Sequence, residues 1–270
     1  GPNANRLKTF EIDEDSRANG SRLGGIRGYW VNEADALTKS KPKMRPFEVE
    51  LKKLIGLYYA TNELEADAPA VANIALEGFS QEMAFLIDDA ILNGDGNSAP
   101  LGILNSGGVV SQAKETSQTA ATINFQNILK MVSRVWAGAR PEFFVNRDCL
   151  PQLAQLSLAV GTGGVPVWLP AGGASGTLQS TLMGYPVNVI EHASTIGTVG
   201  DIMLLDLKQY LLISKGGMKS DSSMHVQFLY DEMCYRFVLR MGGAPKWKSA
   251  LTPYKGTNTQ SPFVTLATRA

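Results

Sequence analysis

Residues 62–104 read NELEADAPAVANIALEGFSQEMAFLIDDAILNGDGNSAPLGIL, and the middle of this stretch decides the fold. Between Asp67 and Leu92, Val71, Ile74, Ala75, Phe79, Met83, Leu86, Ile87 and Ala90 recur at spacings of three and four, the period of an amphipathic helix. Glu77 and Asp88 fall on the other side. Asp67 suits the N-cap, where a carboxylate accepts from the first free N–H groups, and Gly94 suits the position just past the C-terminus. A helix of that length spans roughly 40 Å at 1.5 Å per residue and acts as a strut. The loop after it invites comparison with a calcium loop, because Asp95 and Asn97 fit the first two ligand positions. The next ligand position is Ala99, the required glycine is Pro100 and no glutamate closes the loop, so a helix stop with tight turns is the better reading.

Upstream of the strut, Gly1 to about Lys53 shows no helical period and is punctuated by Gly20, Gly24, Gly25, Gly28, Pro42 and Pro46. Ordering so long a segment costs about 1–2 kcal/mol per residue with little burial in return, so an extended arm and loop held from outside the subunit are expected. Phe47 to Ala60 is rich in strand formers and reads as the returning strand of a long hairpin. Downstream, a Ser/Thr/Gln-rich linker at 111–122 leads to a helix with Phe125, Ile128, Leu129, Val132, Val135 and Trp136 inward, stopped by Gly138 to Pro141. A short strand at Phe143–Asn146, a helix at Arg147–Ala159 and a Gly/Pro-rich loop at 161–176 containing Trp168 follow. Strands are expected at Tyr185–Ile190, Ile202–Leu205, Tyr210–Ile213, Val226–Tyr230 and Tyr235–Leu239. Helices early and strands late give an α+β chain.

The side chains offer little for catalysis. The chain has two histidines, His192 and His225, neither in a nucleophile-elbow context, and Asp88 and Asp89 diverge by about 100° on a helix. The glycine clusters lack the spacing of a phosphate cradle. Cys149 and Cys234 have no CxxC spacing and no His neighbours, so reduced, half-buried thiols are expected. No catalytic residue, metal ligand or cofactor site is therefore expected, and an enzyme using the carboxylates of the acidic segment is the weaker alternative. No apolar run approaches the roughly 20 residues of a membrane span, and the polar start does not resemble a signal peptide, so neither secretion nor a membrane partner is expected.

Charge is segregated although 25 basic and 25 acidic residues balance overall. Lys39, Lys41, Lys43, Arg45, Lys52 and Lys53 precede a stretch, Leu54 to Ala113, with no Lys or Arg. That stretch holds Glu63, Glu65, Asp67, Glu77, Glu82, Asp88, Asp89 and Asp95. Either each is a solvated face, or the cationic finger (Lys39, Lys41, Lys43, Arg45) lies on the acidic strut (Glu77, Glu82, Asp88) of a neighbouring copy. Unlike patches on one surface make heterologous contacts, which build rings and lattices. Beyond Glu232 there are no acids, whereas Arg236, Arg240, Lys246, Lys248, Lys255 and Arg269 are present and could meet nucleic acid, the acidic strut or solvent.

The order of these parts resembles the tailed-bacteriophage major capsid proteins with the HK-ninety-seven-type capsid fold, shared in outline by encapsulins. The resemblance is carried by the acidic strut running into GDGNSAPLGIL, then FFVNRDCLPQL, LMGYPVNVI, MLLDLKQYLLISKGG and YRFVLRMGG. It implies an N-terminal arm at 1–18, an extended E-loop hairpin at 19–62 and a peripheral domain with the long spine helix at 63–142. An axial domain at 143–224 and returning peripheral strands at 225–270 complete it. The implied function is a subunit that self-assembles as pentamers and hexamers into an icosahedral head around double-stranded DNA, with an encapsulin-type compartment shell as the alternative. Implied partners are portal, scaffold or maturation protease, and decoration protein, and the implied location is the virion, after assembly in the bacterial host cytoplasm. A chain opening at Gly1 without Met fits removal of an N-terminal segment, or an added leader. No Lys–Asn crosslink site is carried over, although Lys39, Lys41 and Lys43 lie near the expected loop tip.

Overall fold

The computed structural model describes residues 5–33, 36, 39–61, 70–160, 163–166, 168 and 181–269. In chain order its elements begin with β1 (Arg6–Ile12), β2 (Met44–Glu50), β3 (Lys52–Thr61), α1 (Ala70–Asn93), β4 (Val110–Gln112) and α2 (Phe125–Ser133). Then come β5 (Glu142–Val145), α3 (Leu150–Ala154), β6 (Ser157–Val160), β7 (Gly163–Pro166), β8 (Thr181–Leu182) and β9 (Tyr185–Val189). The chain closes with β10 (Ile202–Leu205), β11 (Tyr210–Ser214), β12 (Lys219–Gln227), β13 (Glu232–Pro245) and β14 (Phe263–Leu266). Two compact units emerge: residues 1–8, 48–105 and 211–244 form the first, and residues 9–47, 106–210 and 245–270 the second.

The first unit is a helix on a sheet. The β13 strand pairs with β11, β12 and β3, the last antiparallel from Glu232 opposite Thr61 to Met241 opposite Lys52. Strand side chains alternate between faces, so one set points at α1. Phe79 of α1 stacks on Phe237 at 4.7 Å between ring centroids and meets Tyr58 edge-on at 6.5 Å. Gly56 makes this approach possible, since a Cβ there would lie 2.6 Å from the Phe79 ring. Met83, Ala90 and Met241 are buried in the same unit.

The helix ends as its sequence dictates. At its C-terminus the last carbonyls lack intrahelical partners. The LGIL segment folds back to supply them, with Ile103 N donating to Ile91 O at 2.9 Å and Leu104 N to Leu92 O at 3.0 Å. Gly94 and Gly102 permit the return, because a Cβ on either would meet backbone at 2.6 Å or closer. Between them Asp95 accepts from the N–H groups of Asn97, Ser98 and Ala99 and from Ser98 Oγ. Those bonds hold its carboxyl far below the usual carboxylate range, with the Ala99 N–H the largest cause. Asp95 thus closes a turn, not a calcium shell.

In the second unit a six-stranded sheet runs β4-β14-β10-β5-β9-β8. Its middle strands, IMLL of β10 and FVTL of β14, are buried along their whole length, as central strands covered on both faces must be. Ile128 and Met131 of α2, Leu153 of α3, Phe143, Val145 and Trp168 complete that core. Arg269 is buried with Asp201 as an ion pair, and Arg269 Nε donates to Thr122 O at 2.6 Å. Asp201 also accepts from Gly197 N at 2.8 Å.

Several expectations need correction. Phe47–Ala60 is not one returning strand: it breaks at Leu51, and β3 pairs with β13 while β2 pairs with β1. The second helix stops at Ser133, capped by Arg134, so Val135 and Trp136 lie outside it, and Met131 with Asn127 fills the inner face. The helix expected over Arg147–Ala159 ends at Ala154, because Ser157–Val160 pairs with Gly163–Pro166 as a hairpin. Val226–Tyr230 is the end of β12 and a 3-10 turn. Ile74, assigned to the inner stripe of the strut, is 67% exposed. The strands β1, β4 and β14 were not anticipated. Within residues 225–270, β13 lies in the first unit's sheet and β14 beside β10 in the second's. The Asp67 cap, Glu63, Glu65 and most of the 161–176 loop lie outside the described residues, as do the side chain of Val71 and Gly1.

Candidate assembly surfaces

The arm and loop combine local anchoring with naked apolar surface. Near the base of the loop, Arg17 N donates to Thr252 O at 2.8 Å, Thr252 N to Asp15 O at 3.0 Å and Ser249 Oγ to Asp15 at 2.6 Å. Arg45 pairs with Glu11 at 3.0 Å and donates to Lys246 O. Burial pushes the Glu11 carboxyl up, against the lowering pull of Arg45 and Lys246. The expectation that the whole segment is held from outside is therefore corrected at its base, where its own unit supplies the partners. Among the described residues of 5–47, nine large apolar side chains are exposed, including Phe10 (74%), Ile12, Tyr29, Trp30 (105%), Val31 and Met44.

Lys39, Lys41 and Lys43 are exposed, whereas Arg45 is half-buried and paired with Glu11. On α1, Glu77, Glu82 and Asp88 are exposed too. They do not form one stripe: at 100° per residue Glu77 and Asp88 stand about 20° apart and Glu82 about 140° from Glu77. Exposed Ile74 and Phe85 lie within that arc, so the outer face of α1 is acidic and apolar together. A further apolar patch, Met224, Val226, Leu229 and Tyr230, marks the turn from β12 to β13. Sequence reading missed it by treating these residues as strand, and missed Trp30, although an aromatic in a breaker-rich segment was a usable signal.

The basic residues near the C-terminus divide between the two units. Arg269 is buried, Arg236 pairs with Asp221 at 2.8 Å, and Lys246 and Lys248 lie in the second unit while Arg236 and Arg240 lie in the first. Both cysteines are free thiols and buried. Burial, with the Asp201 carboxylate adding to it, pushes Cys149 up to about 12, which disfavours the thiolate a nucleophile needs.

Residues 9–256 match the phage capsid family. No curated protein matches the chain. Among solved structures, the capsid of the native GTA particle superposes with a TM-score of 0.77 at 16% identity, over 99% of this chain and 86% of that one. A chain from Microbacterium phage Oxtober96 gives a TM-score of 0.69 at 12% identity over 98% and 86%. One from Gordonia phage Cozz gives 0.65 at 13% over 98% and 81%. With this family match over most of its length and this shared fold, the chain belongs to the phage capsid family as a major capsid protein that forms an icosahedral shell.

Proposed function

We propose that the chain is an HK-ninety-seven-type subunit whose arm (1–18) and E-loop (19–62) lie across neighbouring copies in pentamers and hexamers of a head enclosing double-stranded DNA. In this reading α1 is the spine of the peripheral domain (63–142) and residues 143–224 supply most of the axial domain. The strands within 225–270 serve both domains. The observation that carries it is the exposed apolar surface of residues 5–47, above all Trp30. Burying each large apolar side chain contributes about 1.5–3 kcal/mol, and copies of the same chain are the cover that a shell provides. Lys39, Lys41 and Lys43 then meet Glu77, Glu82 and Asp88 of a neighbour. Single exposed pairs are worth about 0–1 kcal/mol, but a shell repeats them in every subunit. Catalysis has no place in this role. Portal, scaffold or maturation protease, and decoration protein are the further partners, and assembly takes place in the host cytoplasm.

The test is assembly of purified chain with the triple change Lys39→Glu, Lys41→Glu and Lys43→Glu. Particle yield by electron microscopy should fall while circular dichroism of the subunit stays unchanged. Full yield rejects the role of the lysines. Particles filled with an enzyme cargo and free of nucleic acid support the compartment-shell alternative.

A further inference from the structure

We propose that the face of the four-stranded sheet turned away from α1 carries a phosphate-binding groove, and that its occupant is the backbone of the packaged double-stranded DNA. The inference rests on the reading of the chain as a DNA-enclosing shell subunit and assigns the contact to particular residues.

Lys53, Lys215, Lys219, Arg236 and Arg240 line one shallow groove of about 440 Å³, with Asp221 its single acid. The sheet register brings them together. Phe237 stacks on Phe79 of α1, so the alternate residues Arg236, Val238 and Arg240 point the other way. Lys53 stands directly opposite Arg240, Lys219 opposite Val238 and Asp221 opposite Arg236. Lys215 joins from the end of β11, its N–H donating to Arg240 O at 3.0 Å.

Asp221 is committed to Arg236 at 2.8 Å, and among the described residues no ion pair joins Lys53, Lys215, Lys219 or Arg240 to a carboxylate. Like charges directly opposite on paired strands destabilise a sheet. The Lys53–Arg240 pair therefore works against the fold until an anion sits between the two. On the other side of the same unit, the outer face of α1 carries Glu77, Glu82 and Asp88, in a stretch without Lys or Arg from Leu54 to Ala113. A polyanion is thus drawn to one face of this helix-and-sheet layer and repelled from the other, which fixes which face meets the contents. The groove offers charges and no element that could read base edges, so the binding is independent of sequence. Exposed Ile55, Leu57 and Tyr59 run beside it on β3, a row that an acidic protein segment would also use. That occupant is the competing outcome.

DNA-filled particles and particles emptied of DNA are treated with a small lysine-acylating reagent, and modified sites are read by mass spectrometry. Emptying should raise modification of Lys53, Lys215 and Lys219 at least fivefold while Lys39, Lys41 and Lys43 change little. Equal modification in both particles, whether high because the groove is open or low because protein covers it, overturns the proposal. A second readout uses unassembled chain and a labelled duplex of arbitrary sequence. In the Lys53→Gln, Lys219→Gln, Arg240→Gln variant the affinity lost between about 50 and 200 mM salt should shrink by about 40-fold, three phosphate contacts at a slope of about 0.9 each. An unchanged salt slope also overturns it. Failure to form any particle counts against the shell reading itself and leaves the duplex measurement to judge the groove.

Discussion

Replacing Arg269 by alanine should destabilise the second unit by about 3–5 kcal/mol, the usual cost of removing one partner from a buried ion pair. Both side chains of the Asp201–Arg269 pair are fully enclosed, so water cannot replace the guanidinium. Asp201 would keep the N–H groups of Gly197 and Ile202 at 2.8 Å each but lose its counter-charge, and Thr122 O would lose a charged donor at 2.6 Å. At about 2–4 °C per kcal/mol for a chain of this size, the melting temperature should fall by roughly 6–20 °C. Thermal and urea unfolding of the unassembled chain, followed by the emission of Trp136, Trp168 and Trp247 in the same unit, measure it. Replacing both partners together, with Arg269→Met and Asp201→Asn, should recover part of the loss, because no unpaired charge remains. If Arg269→Ala costs less than about 1 kcal/mol, the pair does not fasten the chain end, and the exclusion of Arg269 from any surface role falls with it.

Other outcomes follow from the same geometry. Gly56→Ala places a Cβ 2.6 Å from the Phe79 ring and should cost about 1–3 kcal/mol by urea unfolding, whereas Gly78→Ala, with open space around it, should be neutral or stabilising. Cys149, raised to about 12, should resist iodoacetamide at pH 8 in the folded chain and react once the chain is unfolded; rapid labelling of folded protein contradicts its burial. Asp95 is depressed, so its contribution is present above the ordinary carboxylate range and is lost only as pH falls through the lower folded value. Hydrogen exchange at Asn97, Ser98 and Ala99 should therefore stay slow down to mild acid, and Asp95→Ala should speed it at every pH above that folded value; a change confined to acid would mean that the carboxylate is not the acceptor.

Legibility in the sequence followed the physics of each element. The strut was readable because an apolar period over seven turns is a strong local signal, and its glycine stop because a Cβ cannot fit where LGIL returns. Buried runs such as IMLL at 202–205 were equally plain. The arm strand β1 and the two short strands β4 and β14 were not, since their partners lie far along the chain and pairing leaves no local trace. Residues 157–160 went to a helix because a short apolar run does not distinguish the two periods, and only the partner at 163–166 decides. At the assembly surfaces, charge blocks were visible but their commitments were not. Arg45 and Arg269 look like their neighbours in sequence, yet each is already held by acids of its own unit.

An electron cryomicroscopy reconstruction of particles assembled from purified chain tests most directly whether residues 5–47 are completed by sister subunits. A closed shell in which Trp30 and Phe10 are buried against another copy is the expected result. Monomers that do not associate at high concentration, or a shell in which Trp30 still faces solvent, contradict it.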